Sequence, residues 1–320
     1  MKSFGQKIAA ILLLAAVTAT GAAAQNFPNK PVRFILGFGT GGPTDVIART
    51  LADEISKDLG QRVIVENKTG ASGNIATQDV ASAEADGTTF LIAATPLAVN
   101  HSLFPEFGVK FGRDIVAVAA IGANENVLVV RPALGVSTLA EFVERARTKP
   151  NALSYATVGV GSSSHLAGVA FDLRTGATML AVSYRGGGDA LKDLLGGQVD
   201  AWFAPIPSVL GAVQSGQLIA LATTGPARAG LLPAVPTMAE AGFPGFDIRL
   251  WVGLFAPKGV TAPVMQTIEK AAARAIASPE MQTALQRQGI SPLPMSREEF
   301  TEFVNLEISR WKAVVAAIKK

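Results

Sequence analysis

The strand-like run Val32–Leu36 passes straight into Gly37-Phe38-Gly39-Thr40-Gly41-Gly42, then into a segment where Ile47, Leu51, Ile55 and Leu59 recur every fourth residue. This order constrains the fold more than any other feature. Glycines let the chain turn sharply, and a four-residue apolar spacing lays one helix face back against the strand. Pro43 suits a first helical position, and Gly60 suits a left-handed stop. Strands are predicted at 62–66 and 88–94, with a helix near 74–83 between them. The segment therefore reads β-α-β-α-β, the order of an open, mostly parallel sheet.

The order recurs downstream. Residues 127–130 read as a strand, and Thr138 with Glu141 forms a capping box for a helix ending before Pro150. A strand at 153–157 leads through a Gly/Ser turn into a helix at 165–174. Short strands at 181–184 and 199–203 flank a helix at 189–195, and 218–223 is a further strand. After a Pro/Gly-rich stretch come a strand at 248–255 and helices at 262–277 and 296–318. The last helices have no strands of their own, so they are expected to pack back on the first sheet. The expectation is α/β with two lobes, each a mostly parallel sheet flanked by helices. One lobe would hold 25–125 plus 246–320, the other 126–245.

The start of the chain bears on function. Lys2 and Lys7 precede an apolar stretch from Ile8 to Thr20, and Ala22-Ala23-Ala24 supplies small residues for cleavage. That is the pattern of an export signal, cleaved after Ala24. Removing 1–24 takes two lysines and no acid, so the formal charge falls from +3 to +1. Such a balance offers no reason for a nucleic-acid partner. The absence of cysteine excludes disulfides, thiolate nucleophiles and cysteine metal sites. His101 and His165 are the only histidines, and no spaced acidic cluster or carboxylate pair is evident, so neither a metal, a cofactor nor a catalytic residue is expected.

The first glycine turn fits G-x-G-x-x-G, and Glu66 ends the next strand, where a ribose-binding acid would stand. Export away from the nucleotide pool weighs against a dinucleotide. So do Pro43, which removes one helix-start amide, and Asp45, which would repel a pyrophosphate. The same turn suits a smaller anion, through exposed amides and the hydroxyls of Thr40 and Thr44. Gly159-Val160-Gly161-Ser162-Ser163-Ser164-His165 repeats the arrangement in the second unit, with three hydroxyls at a helix start. An exported enzyme using Ser164 and His165 is the alternative; adjacent residues seldom face each other, and no G-x-S-x-G elbow is present. Tyr184-Arg185-Gly186-Gly187-Gly188 is a third glycine-rich strand end, and Thr95-Pro96 a fourth candidate turn.

Taken in order, several segments resemble the Bug-type extracytoplasmic solute receptors of the tripartite tricarboxylate transporter family. They include Gly41-Gly42-Pro43-Thr44-Asp45, Gly70-Ala71-Ser72-Gly73-Asn74, Tyr184-Arg185-Gly186, Asp193-Leu194-Leu195-Gly196-Gly197-Gln198-Val199-Asp200 and Trp251-Val252-Gly253-Leu254-Phe255-Ala256-Pro257. The resemblance implies a two-lobed periplasmic binding protein fold, a monomer that holds a small carboxylate in its cleft and hands it transiently to membrane transporter subunits. Carried over, it points to Gly39, Thr40, Gly41, Gly42, Thr44 and Thr95 in one lobe. In the other it points to Ser162, Ser163, Ser164, His165, Tyr184, Arg185, Gly186, Gly187, Gly188 and Ala204. Many relatives carry an acid where Ala204-Pro205 stands, so an amino-acid ligand is disfavoured and dicarboxylates or aromatic acids remain open.

Overall fold

The computed structural model describes residues 27–159, 162–184 and 186–318. The export signal, its cleavage position and Arg185 lie outside the described residues. Strands β1 (Val32–Leu36), β2 (Val63–Asn67) and β3 (Thr89–Ala94) alternate with helices α1 (Pro43–Leu59) and α2 (Asn74–Ala81). Helix α3 (Pro96–Leu103) follows, then the sixteen-residue β4 (Ile115–Val130). Next come α4 (Leu139–Ala146), β5 (Ser154–Thr157), α5 (Ser163–Thr175), β6 (Leu180–Ser183), α6 (Gly187–Leu195) and β7 (Ala201–Pro205). The chain continues through α7 (Ile206–Gln214), β8 (Ile219–Thr223), β9 (Arg249–Pro257), α8 (Ala262–Ala277), α9 (Pro279–Arg287), β10 (Ser291–Pro292) and α10 (Arg297–Ile318).

Strands β2, β1 and β3 are parallel, as their order predicts, and β9 joins antiparallel to β3. Strand β4 pairs with β9 along 115–125 and with β7 and β8 along 126–130. Beyond it, β5 runs parallel to both β6 and β7. One strand thus belongs to two sheets and carries the chain from one lobe to the other.

Sequence reading finds only the end of β4, at 127–130. Its first part, Ile-Val-Ala-Val-Ala-Ala-Ile-Gly-Ala-Asn-Glu-Asn, mixes isoleucine and valine with alanine and glycine and ends in three polar residues. It is covered on both faces and bears register shifts near Val118 and Ile121, so it shows no two-residue alternation. Helices α3, α7 and α9 also escape a periodicity search, being only eight or nine residues long. Each carries proline in its first turn, which fixes φ where the chain turns back from a strand or helix.

Packing follows the layers. Helices α1, α8 and α9 cover one face of the first sheet around Phe34, Ile92, Leu254 and Ile268. Helices α6 and α7 cover one face of the second around Val127, Trp202 and Leu194. The opposite faces share a single core, in which Leu91 and Phe255 of the first sheet and Phe203 and Tyr155 of the second meet α3, α5 and α10. Helix α10 is tied in by Glu307, which is 2% exposed and accepts from the indoles of Trp251 (3.1 Å) and Trp311 (3.0 Å) and from Arg310 (2.7 Å). The Arg310 guanidinium also donates to the Asp247 carbonyl at 2.5 Å.

The aromatic cluster Trp251, Phe255, Phe300 and Phe303 leaves no slack at Gly253. A Cβ there would sit 2.3 Å from Phe300 Cζ and 3.2 Å from Phe255 Cε2, and both rings are fully buried. We expect Gly253→Ala to cost about 1–3 kcal/mol by overpacking. Urea unfolding monitored by tryptophan fluorescence reads this directly; an unchanged midpoint would mean that the cluster yields more easily than its burial implies.

Candidate functional site

Register brings the two sets of strand ends together. In the first sheet Leu36 is paired with Asn67 and with Ile92, so β1, β2 and β3 end at one edge. Strand β4 leaves that sheet at the pair Glu125–Arg249 and enters the second at Asn126–Pro205. Pro205 is the carboxyl end of β7, and β5 and β6 end alongside it at Thr157 and Ser183. The carboxyl edges of both sheets therefore face each other across Glu125 and Asn126, the place where open α/β sheets present their ligand-binding turns.

The first turn is held by an acid. Asp45, 3% exposed, accepts from the Gly41 amide (2.9 Å), from Arg49 (2.9 and 3.0 Å) and from Asn67 Nδ2 (2.8 Å). The same Asn67 nitrogen donates to the Phe38 carbonyl at 2.9 Å. Burial alone would raise the Asp45 carboxyl, but the hydrogen bonds from Arg49, Gly41 and Asn67 outweigh it and hold the group at about 2. Gly41 adopts φ 78°, a left-handed conformation that favours glycine. Its amide faces Asp45, so it is engaged within the turn. Gly39 and Thr40 are exposed; Gly42 and Thr44 are half-buried at the start of α1. A neighbouring turn approaches so closely that a Cβ on Gly37 would lie 2.6 Å from the Gly73 Cα. Glu66, the candidate ribose acid, is bound by Arg33 at 2.7 and 2.8 Å.

Thr95 is 1% exposed. Its hydroxyl donates to the Arg249 carbonyl (3.3 Å) and accepts from the Trp251 amide (3.0 Å). Having one proton, it joins β3 to β9 and keeps none for an anion.

The serine turn opens α5 two residues earlier than the predicted helix. Ser162 is the N-cap and accepts from the His165 amide at 3.3 Å. Its hydroxyl also lies 3.3 Å from Thr157 Oγ1 and 3.4 Å from Ser164 Oγ. Ser163, at the first helical position, donates to Asn126 Oδ1 at 3.4 Å. Ser164 is fully buried, which denies it the access an attacking nucleophile requires. Burial lowers the His165 imidazole, so the ring is neutral at pH 7 and brings no cation to the site.

Asn126 is the residue sequence reasoning missed. It is 2% exposed, and its Nδ2 finds no acceptor among the described residues. Its backbone is fixed on both sides by Thr224, through Asn126 N to Thr224 Oγ1 (3.0 Å) and Thr224 N to Asn126 O (2.9 Å). The available signal was a polar trio, Asn124-Glu125-Asn126, set directly before the apolar run 127–130.

At the third strand end, the Tyr184 amide donates to the Thr157 carbonyl at 2.8 Å. Burial, then the Asp193 carboxylate, raises its phenol. Gly186 caps α6; Gly187 and Gly188 form its first turn. A Cβ on Gly187 would approach Trp202 Cη2 to 3.3 Å. Ala204 is fully buried opposite Val127 and presents no surface to the cleft.

Two α/β lobes joined by a shared strand, with glycine- and hydroxyl-rich helix starts at the facing edges, define the periplasmic binding protein class. The profile of the tripartite tricarboxylate transporter family receptor matches residues 47–319. Protein BugT of Bordetella pertussis is 37% identical over 95% of this chain and 94% of its own. The chain belongs to this family and is a solute-binding receptor. Among solved structures, MatC from Rhodopseudomonas palustris with bound malate is 31% identical, with a TM-score of 0.73 over 90% of this chain and all of its own. A second R. palustris protein, with adipate, is 31% identical, with a TM-score of 0.74 over 91% and 98%. A TctC solute-binding protein from Polaromonas reaches 0.79 at 27% identity, over 91% and 99%. No helix among the described residues is long and apolar enough to cross a membrane.

Asp45 yields a pH-dependent expectation. Its folded value lies near 2 against an unfolded 3.8, so the stabilisation is complete above the unfolded value and is lost as pH falls through the folded one. The shift corresponds to about 2 kcal/mol at neutral pH. Asp45→Asn should lower stability by about that amount at pH 7, and the gap should narrow between pH 4 and pH 2. Denaturant unfolding across that range checks it; a gap independent of pH would assign the loss to geometry instead of charge.

Proposed function

We propose that this receptor captures a small carboxylate between its two lobes, 25–125 plus 246–320 and 126–245, and delivers it to the membrane subunits of a tripartite transporter. The observation that supports the reading is the register of β4, which turns the carboxyl edges of both sheets toward Glu125 and Asn126. Helix starts attract anions through amides and the helix dipole. The donors in this reading are Gly39, Thr40, Gly42 and Thr44 from one lobe. The other lobe gives Ser162 to His165 and Tyr184 to Gly188, with Arg185 supplying a positive charge. Asn126, with its unengaged Nδ2, stands at the junction. Thr95 and Ala204 lie beneath the cleft surface and support the strand ends that carry these donors.

Neither lobe alone surrounds the anion, so its full set of contacts exists only in the closed form, and that difference favours closure. Malate and adipate in relatives 31% identical support a dicarboxylate as the first ligand to try. In the same reading the protein is exported, cleaved after Ala24, monomeric, only transiently docked to its transporter, and performs no turnover.

Calorimetric titration with malate and adipate tests the site. At least one should bind saturably, and Ser163→Ala should weaken it ten- to hundredfold, the loss of one hydrogen bond to a charged group, about 1.5–3 kcal/mol. Failure of both ligands would remove short dicarboxylates; an unaffected variant would remove the serine turn. Small-angle scattering should show a smaller radius of gyration with ligand, and mass spectrometry should return the ligand unaltered.

A further inference from the structure

A cavity of about 480 Å³ opens where β4 passes between the sheets. Its walls come from both lobes: Glu125 and Ile206 at the crossing, Leu231 after β8, and Gln286, Ile290 and Ser291 from α9 and the segment beyond it. None of the residues proposed for the carboxylate lines it, and Glu125 alone among its lining residues is charged. The volume falls in the range of small-molecule sites.

Glu125 Oε2 is buried without a hydrogen-bond partner among the described residues. It lies so close to Gly225 that a Cβ there would stand 2.5 Å away. The guanidinium of its cross-strand partner Arg249 is engaged bidentately by Asp247 at 2.7 and 2.9 Å and sits over the Phe303 ring. Burial raises the Glu125 carboxyl, with Arg249 opposing and Asp247 reinforcing. A carboxylate in this position lacks the donor that would offset its desolvation.

We propose that this cavity binds a small organic ammonium ion, whose N–H groups donate to the Glu125 carboxylate while its hydrocarbon part lies against Ile206, Leu231 and Ile290. An anion would be repelled. A divalent metal needs several oxygen ligands, and no group of three or more acidic, histidine or cysteine side chains suited to one occurs among the described residues. Because the walls belong to different lobes, occupancy is linked to lobe closure, and ammonium and carboxylate alter each other's affinity by the same factor.

The probe is n-butylammonium, titrated calorimetrically against the full mature protein, with n-butanol as the uncharged control. We expect saturable single-site binding of the ammonium and at least tenfold weaker binding of the alcohol. Glu125→Gln should weaken the ammonium at least tenfold. Leu231→Trp, at a position 43% exposed, keeps the charge and narrows the cavity, and should weaken it at least threefold. Binding should persist in saturating malate. No saturable binding, equal binding of the alcohol, an unaffected Glu125→Gln protein or mutually exclusive binding with malate would each overturn the proposal, whatever the fate of the carboxylate reading.

Discussion

Everything in this molecule hangs on one strand being shared by two sheets. Residues 115–125 of β4 are bonded to β9, residues 126–130 to β7 and β8. A strand has one direction, so the partners on either side of the crossing are oriented by it. That is why the strand ends of both lobes converge on Glu125 and Asn126. Cleft position is thus a consequence of hydrogen-bond register, before any side chain is considered. Thr224 reinforces the crossing, bonding Asn126 on one side and the Ile248 carbonyl (2.6 Å) on the other.

The glycine turn after β1 has the outline of a dinucleotide motif, yet its interior chemistry differs. Asp45 occupies the helix start, takes up the Gly41 amide and is itself held by Arg49 and Asn67. An acid kept ionised at neutral pH at this helix start opposes a doubly charged pyrophosphate more than it would a single carboxylate. The network also ties the turn to the start of α1 and to the end of β2.

Much of this was legible in the sequence, and the failures have physical causes. Helices α1 and α8 declare themselves because each buries one face and leaves a period, and strands β1, β3 and β5 because each is a short run that ends in a turn signal before a helix. The turns at 37–42 and 162–165 were legible because glycines and serines before a helical period have few other uses. The first three-quarters of β4 was not, since a strand covered on both faces, with small and branched apolar residues mixed, has no alternation. Asn126 was missed for a related reason. Its role comes from pairing with Pro205, a long-range register that no local pattern encodes. Thr95 was read as a contact because it ends a strand, and Ala204 because the family resemblance pointed to that position; burial of the first in a backbone bridge and of the second in the core could be seen only once β9 and β4 were placed.

Closure also has to respect α10. Glu307 fastens this helix to Trp251 of β9, and Arg310 adds the Asp247 carbonyl, so its middle moves with the first lobe. The helix also packs against α5, whose start carries the serine turn. The core around these helices is continuous through both lobes, and a dense interior does not stretch. Opening by separation at that face would expose the buried apolar surface of Leu166 and Phe171. A motion that keeps the α5–α10 contact and slides along it exposes far less. The cleft should therefore work by shear at the α10 side and by hinge bending at Glu125, Asn126 and Thr224. Such a motion widens or narrows the opposite side, where Ile206 and Leu231 line a cavity with residues of α9, and so connects that cavity to the same two states as the starts of α1 and α5.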